Sequence, residues 1–178
     1  MKALKTLLVG IVLALGLAGL TFAQSTASQT VTMQISAISV LGVTGNPAAL
    51  VVSAPALGGD TPSNPTSNTT YARYTSTVST GVTRRLQANW AVANVAPAGC
   101  SLLLTAQPAA LPNQGTTAGQ ITMTSTATNI VTGIGSCATG TTATSGAQLT
   151  YVLSVNTMTA LIAGENHTVT ITLTLTDN

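Results

Sequence analysis

From His167 to Thr176 the chain alternates without a break, with His167, Val169, Ile171, Leu173 and Leu175 set against Thr168, Thr170, Thr172, Thr174 and Thr176. A period of two puts successive side chains on opposite faces of a strand, so the segment predicts one buried face and one ladder of threonines. Threonine is stiff at χ1, which suits a pleated surface better than a helix. Much of the chain repeats the pattern. Threonine and other β-branched residues recur at period two, and Gly, Pro, Asn and Ser interrupt them about every ten residues, the rhythm of an all-β sandwich or barrel. No segment after the first two dozen residues reads as a long helix.

Taken in order, the alternation predicts these strands. The first runs from Thr30 to Val40, with Val31, Met33 and Ile35 on one face. Its apolar phase shifts to Ile38 and Val40, which predicts a bulge at Ser36-Ala37. A short strand follows at Leu50 to Ser53, then a long loop, Ala54 to Thr70, that carries Asp60. Loops of that length are uncommon and can be functional. Tyr71 to Ser79 and Thr83 to Ala93 are read as a hairpin about Thr80-Gly81. Arg84 is in phase with Val82, Leu86, Ala88 and Trp90, so it is expected at a sheet end, reaching outward along its stem. Trp90 is expected in the core. Further strands are expected at Ser101 to Ala106, Gly119 to Ser125 and Gln148 to Val155, with a helical turn around Thr157 to Ile162. The expected total is about eight or nine strands, enough for two packed sheets in an antiparallel β-sandwich.

The first residues predict export. Lys2 and Lys5 form a positive region, Leu7 to Leu20 is apolar, and Thr21-Phe22-Ala23 offers a cleavage site of small residues before Gln24. The apolar run is shorter than the roughly 20 residues that span a bilayer, so cleavage is expected rather than anchoring. No cysteine follows the site to take a lipid, and Leu111-Pro112-Asn113-Gln114-Gly115 lacks the threonine and the tail of a sortase signal. The expected organisation is a signal peptide at 1–23 and one domain at 24–178, secreted, at the cell surface or in the periplasm, with no membrane anchor after cleavage.

Charge narrows the function classes. Removing 23 of the 178 residues removes both lysines and leaves Arg73, Arg84 and Arg85 against Asp60, Glu165 and Asp177. Three scattered arginines make no basic surface for nucleic acid. A surface so poor in charge also has little repulsion to keep copies apart, so self-association into a homopolymer or surface assembly is the expected partnership.

Residues with catalytic chemistry are scarce. General acid–base and nucleophilic catalysis need groups that titrate or attack. His167 is the only histidine, and Glu165 is its one near neighbour in sequence among the carboxylates. That pair is a thin basis for a triad, so no catalytic residue, metal site or cofactor is expected. The two cysteines of an exported chain, Cys100 and Cys137, are expected to form a disulfide rather than half of a zinc site. Closing their loop of 37 residues would stabilise by about 4 kcal/mol in the chain-entropy model. Three other readings remain. A threonine face could bind ice. Trp90, Tyr71, Tyr74 and Tyr151 could form a glycan platform. Asn68-Thr69-Thr70 and Asn166-His167-Thr168 are glycosylation sequons.

Several motifs are shared with a known group. Tyr74-Thr75-Ser76 is followed by Gly81-Val82-Thr83-Arg84-Arg85. Farther on come Ile130-Val131-Thr132-Gly133-Ile134-Gly135-Ser136-Cys137, Thr139-Gly140, Ala143-Thr144-Ser145-Gly146 and Leu149-Thr150-Tyr151. With the closing threonine strand, this pattern resembles an uncharacterised family of small secreted bacterial proteins. The likeness runs from about Gln29 onward. Members often carry Trp and Asn ahead of the Tyr-Thr-Ser, which Thr69 to Arg73 does not supply. The resemblance implies a secreted immunoglobulin-like sandwich and no particular activity. A looser similarity to subunits of extracellular fibres implies strand addition at an exposed edge. The functional expectation is a secreted structural or surface-assembly protein without catalysis, with a glycan-binding or other surface-binding module as the alternative.

Overall fold

A computed structural model describes residues 26–178. The expected signal segment at 1–23 and its cleavage point between Ala23 and Gln24 lie outside the described residues. The chain divides into two units, Met1–Ile35 and Ser36–Asn178. In the first, residues 26–35 form no strand, and all of them are exposed.

The second unit contains ten strands. They are β1 (Ile38–Val43), β2 (Thr66–Thr77), β3 (Arg84–Trp90), β4 (Cys100–Gln107), β5 (Gln114–Thr117), β6 (Ile121–Thr122), β7 (Thr128–Ile134), β8 (Cys137–Ala138), β9 (Ala147–Val155) and β10 (Ile171–Asp177). The expected helical turn is a short 3-10 segment at Met158–Ala160. Two antiparallel sheets result. One has the order β1-β2-β9-β4-β6, with β8 also paired to β2, and the other has the order β10-β3-β7-β5. The fold class is all-β, as the alternation predicts.

The core lies between the sheets. From the first come Ala72, Tyr74, Leu102, Leu104, Ala106, Ala147, Leu149 and Tyr151, and from the second Leu86, Ala88, Trp90, Ile130, Val131 and Ile134. In β2, β3, β4 and β9 these residues sit at alternate positions, whereas in β7 the adjacent Ile130 and Val131 are both buried, at a register shift against β3. β3 shows it most plainly: Arg84, Leu86, Ala88 and Trp90 are buried, and Arg85, Gln87 and Asn89 are half-buried on the other face. Tyr74 Oη donates a 2.5 Å hydrogen bond to the Gln114 carbonyl, so a phenol from β2 reaches across the core to β5. Burial, and then the nearby Cys137, hold this phenol well above its usual range, which keeps it a donor.

Four local expectations are corrected. The first strand begins at Ile38, not Thr30. Ile38 lies opposite Thr77, the last residue of β2, so earlier residues have no ladder to join. Leu50 to Ser53 is not a strand. The loop expected to reach Thr70 ends at Pro65, because Thr66 and Ser67 already pair with Val152 and Tyr151 of β9. Most consequentially, β2 and β3 are not a hairpin. They belong to different sheets, and residues 78–83 cross from one to the other. Both strands have an apolar face to bury, and the crossing lets Tyr74 and Leu86 share one core instead of lying side by side.

Candidate functional site

Cys100 and Cys137 are free thiols, which corrects the expected disulfide. Cys100 opens β4 opposite Val155 of β9, beyond the point where Val152 pairs with Thr66. Cys137 sits on β8 opposite Ser76, at the other end of β2. The ten residue steps from Thr66 to Ser76, at roughly 3.3 Å each, put about 30 Å of sheet between the cysteines. A disulfide needs Cα atoms within roughly 7 Å. Burial raises both thiol pKa values, and the charge of Glu165 adds to the effect at Cys100.

The only histidine does meet a carboxylate. His167 Nε2 is 3.7 Å from Glu165 Oε1, and His167 Nδ1 is 3.2 Å from the Val95 carbonyl. The other Glu165 oxygen, Oε2, accepts a 3.1 Å hydrogen bond from the Ala98 N–H. The pair thus ties the connection between β3 and β4 to the connection between β9 and β10. Among the described residues, no serine or threonine hydroxyl hydrogen-bonds to His167. The Cys100 thiol is shifted toward the protonated form, by burial and then by the charge of Glu165, the reverse of what activates a nucleophile. Among the described residues, no three His, Cys, Asp or Glu side chains come together as a metal site.

A shallow cleft of about 390 Å³ lies where residues 78–83 cross between the sheets. Gly133, Gly135, Ser136 and Asn113 form its other wall. Ser136 Oγ bonds both the N–H and the carbonyl of Val78, at 3.0 and 3.3 Å. The cleft is lined by glycines, hydroxyls, Asn113 and the side chains of Val78 and Val82, and none of its lining residues titrates. Two motifs of the expected resemblance line the cleft: the Gly81 turn and the run that holds Gly133, Gly135 and Ser136.

Among the described residues, three of the four aromatic side chains face inward. Trp90, Tyr74 and Tyr151 are buried, and half-buried Tyr71 accepts a 3.2 Å hydrogen bond at its hydroxyl from Gln148. The threonine ladder is narrow. Thr172, Thr174 and Thr176 lie opposite Asn89, Gln87 and Arg85, so the adjoining strand does not continue a flat threonine array.

What remains is the sheet edges. β10 pairs with β3 on one side, and no strand pairs with its other side among the described residues. Ile171, Leu173 and Leu175 are only half-buried although they pack on the core. At the far end of β10, Arg84 is buried, and its Nε donates a 2.7 Å hydrogen bond to Asp177 Oδ1. Its Nη1 donates to the Ile38 carbonyl at the start of β1. Arg84 therefore does not reach out to solvent, as its phase suggested. It turns inward and links β3, β10 and β1 across the two sheets. Asp177, far away in sequence, gave no local signal of this.

The fold and its edges define an all-β protein built of two antiparallel sheets. Comparison with protein-family models, curated proteins and solved structures finds no match for the chain.

Proposed function

We propose that the chain is an exported structural subunit that assembles with copies of itself at the cell surface or in the extracellular space, and that it carries out no catalysis. The observation that carries this reading is the unguarded edge of β10. Proteins that stay monomeric protect such edges with Lys, Pro, bulges or a covering element. Among the described residues β10 has no Lys, Pro or bulge along Ile171–Thr176 and no strand paired to its outer edge, though β1 approaches it; its one charge, Asp177, is the last residue of the strand. The scarcity of charge supports the same reading, because copies that approach meet little repulsion. Export rests on the N-terminal pattern.

The glycan-binding alternative draws no support from the aromatic residues, since Trp90, Tyr74 and Tyr151 are turned into the core. Negative-stain microscopy and sedimentation of the purified chain from Gln24 onward test the proposal. Ordered multimers or filaments are expected, with little change between low and high salt because few charges are there to be screened. A monodisperse monomer at every concentration, with no filaments on producing cells, overturns it.

A further inference from the structure

The chain holds a segment that matches its own open edge. Thr30 to Ile35 alternates polar and apolar residues, yet it pairs with no strand. Its apolar residues Val31, Met33 and Ile35 are 65%, 88% and 88% exposed. Three apolar side chains in a row at period two, all facing water, are costly unless something covers them. The ladder of β1 and β2 cannot extend to them, because β2 ends at Thr77, opposite Ile38.

β10 presents the complementary deficit. Its second edge has a row of backbone donors and acceptors with no strand partner among the described residues. Its core-facing row, Ile171, Leu173 and Leu175, is only half covered. A strand laid on that edge with Val31, Met33 and Ile35 turned inward would continue the row at the same period of two. Its outward face, Thr30, Thr32 and Gln34, would extend the uncharged face of Thr172 and Thr174. Neither strand brings a charge to the contact except Asp177, which Arg84 already holds.

The geometry points to Thr30–Ile35 of one copy as an added strand on the open edge of β10 of a second copy. This rests on the assembly reading above and names the surfaces that would carry it. The contact is heterologous, since the segment and the edge are different parts of the chain. Each copy that donates a segment still offers its own edge, so addition continues into a filament or closes as a ring.

Cysteine crosslinking between two differently tagged populations tests the contact. In a background carrying Cys100→Ala and Cys137→Ala, one population carries Thr32→Cys. The other carries Thr172→Cys, Thr174→Cys or Thr176→Cys in turn. The Thr32, Thr172 and Thr174 side chains are exposed and Thr176 is half-buried, so the substitutions leave the core intact. A disulfide-linked heterodimer is expected at one of the three registers, at least tenfold above a control with Thr116→Cys on the polar edge of β5. A second variant, Met33→Asp with Ile35→Asp, should lower assembly at least tenfold and leave the unfolding midpoint of the sandwich unchanged.

Failure of this contact can be told from failure of assembly itself. Filaments that persist in the Asp variant, with no heterodimer at any register, overturn the strand-addition contact and leave self-assembly standing. No multimer and no heterodimer overturns both. A crosslink that forms only within one chain carrying both Thr32→Cys and Thr174→Cys, and never between tagged copies, also overturns the contact, because the segment then closes on its own sheet. Heterodimers without long filaments support it as the contact of a short or closed assembly.

Discussion

At the scale of single residues, backbone geometry explains the most distinctive loop. Gly146 has φ near +99°, and a Cβ placed there would lie 2.1 Å from the Ala72 carbonyl oxygen. Any side chain therefore meets both left-handed strain and a backbone atom that cannot move without breaking the pairing of β2 with β9. Gly146→Ala is expected to destabilise the fold by about 3 kcal/mol or more, measured by urea or thermal unfolding. Gly81 also has positive φ, but nothing lies within 4 Å of its notional Cβ. Gly81→Ala should therefore cost only about 1 kcal/mol, from conformation alone. The glycine spacing was visible in the sequence. Which glycine faces a carbonyl was not, because Ala72 and Gly146 meet only once β2 and β9 are paired.

At the scale of elements, the two flanks of the sandwich behave differently. Where β1 approaches β10, Arg84 joins three strands. Its side chain is 8% exposed, whereas that of Asp177 is 71% exposed. Water can solvate Asp177 if its partner is lost, but the Ile38 carbonyl and the packed stem depend on Arg84. Arg84→Ala is therefore expected to cost about 2–4 kcal/mol, and Asp177→Asn about 1 kcal/mol or less. Equal losses in the two variants, read from unfolding midpoints, would contradict this asymmetry.

The cysteines give a second test at this scale. They sit at opposite ends of one sheet, so reductant should leave the melting temperature unchanged, and two thiols should titrate in denaturant without reduction. Both thiol pKa values are raised in the fold, by burial and at Cys100 also by Glu165. The folded chain therefore holds these protons at pH values where the unfolded chain has begun to release them, above about 8.5. Stability is expected to fall as pH rises through that range, because the unfolded state then binds fewer protons. Alkylation at pH 8.5 should be slower in the folded chain than in urea. Stability that rises with pH there would overturn the assignment.

At the scale of the whole molecule, local pattern and global arrangement divide the problem. The alternation of His167 to Thr176 predicted a strand with one buried face; β10 is that strand, shortened at its start to Ile171, and its apolar face is only half-buried. Alternation also placed Leu86, Ala88 and Trp90 together in the core. Side-chain period is a property of the backbone, so the sequence alone determined the all-β class, most strand positions and the scarcity of charged chemistry. Pairing is a long-range property. That β2 and β3 part into different sheets, that Cys100 and Cys137 end about 30 Å apart by strand rise, and that Arg84 finds Asp177 were decided only in the tertiary structure. The same holds for Thr30–Ile35. By itself the segment reads as an ordinary first strand, and only the end of β2 at Thr77 shows that its ladder has run out.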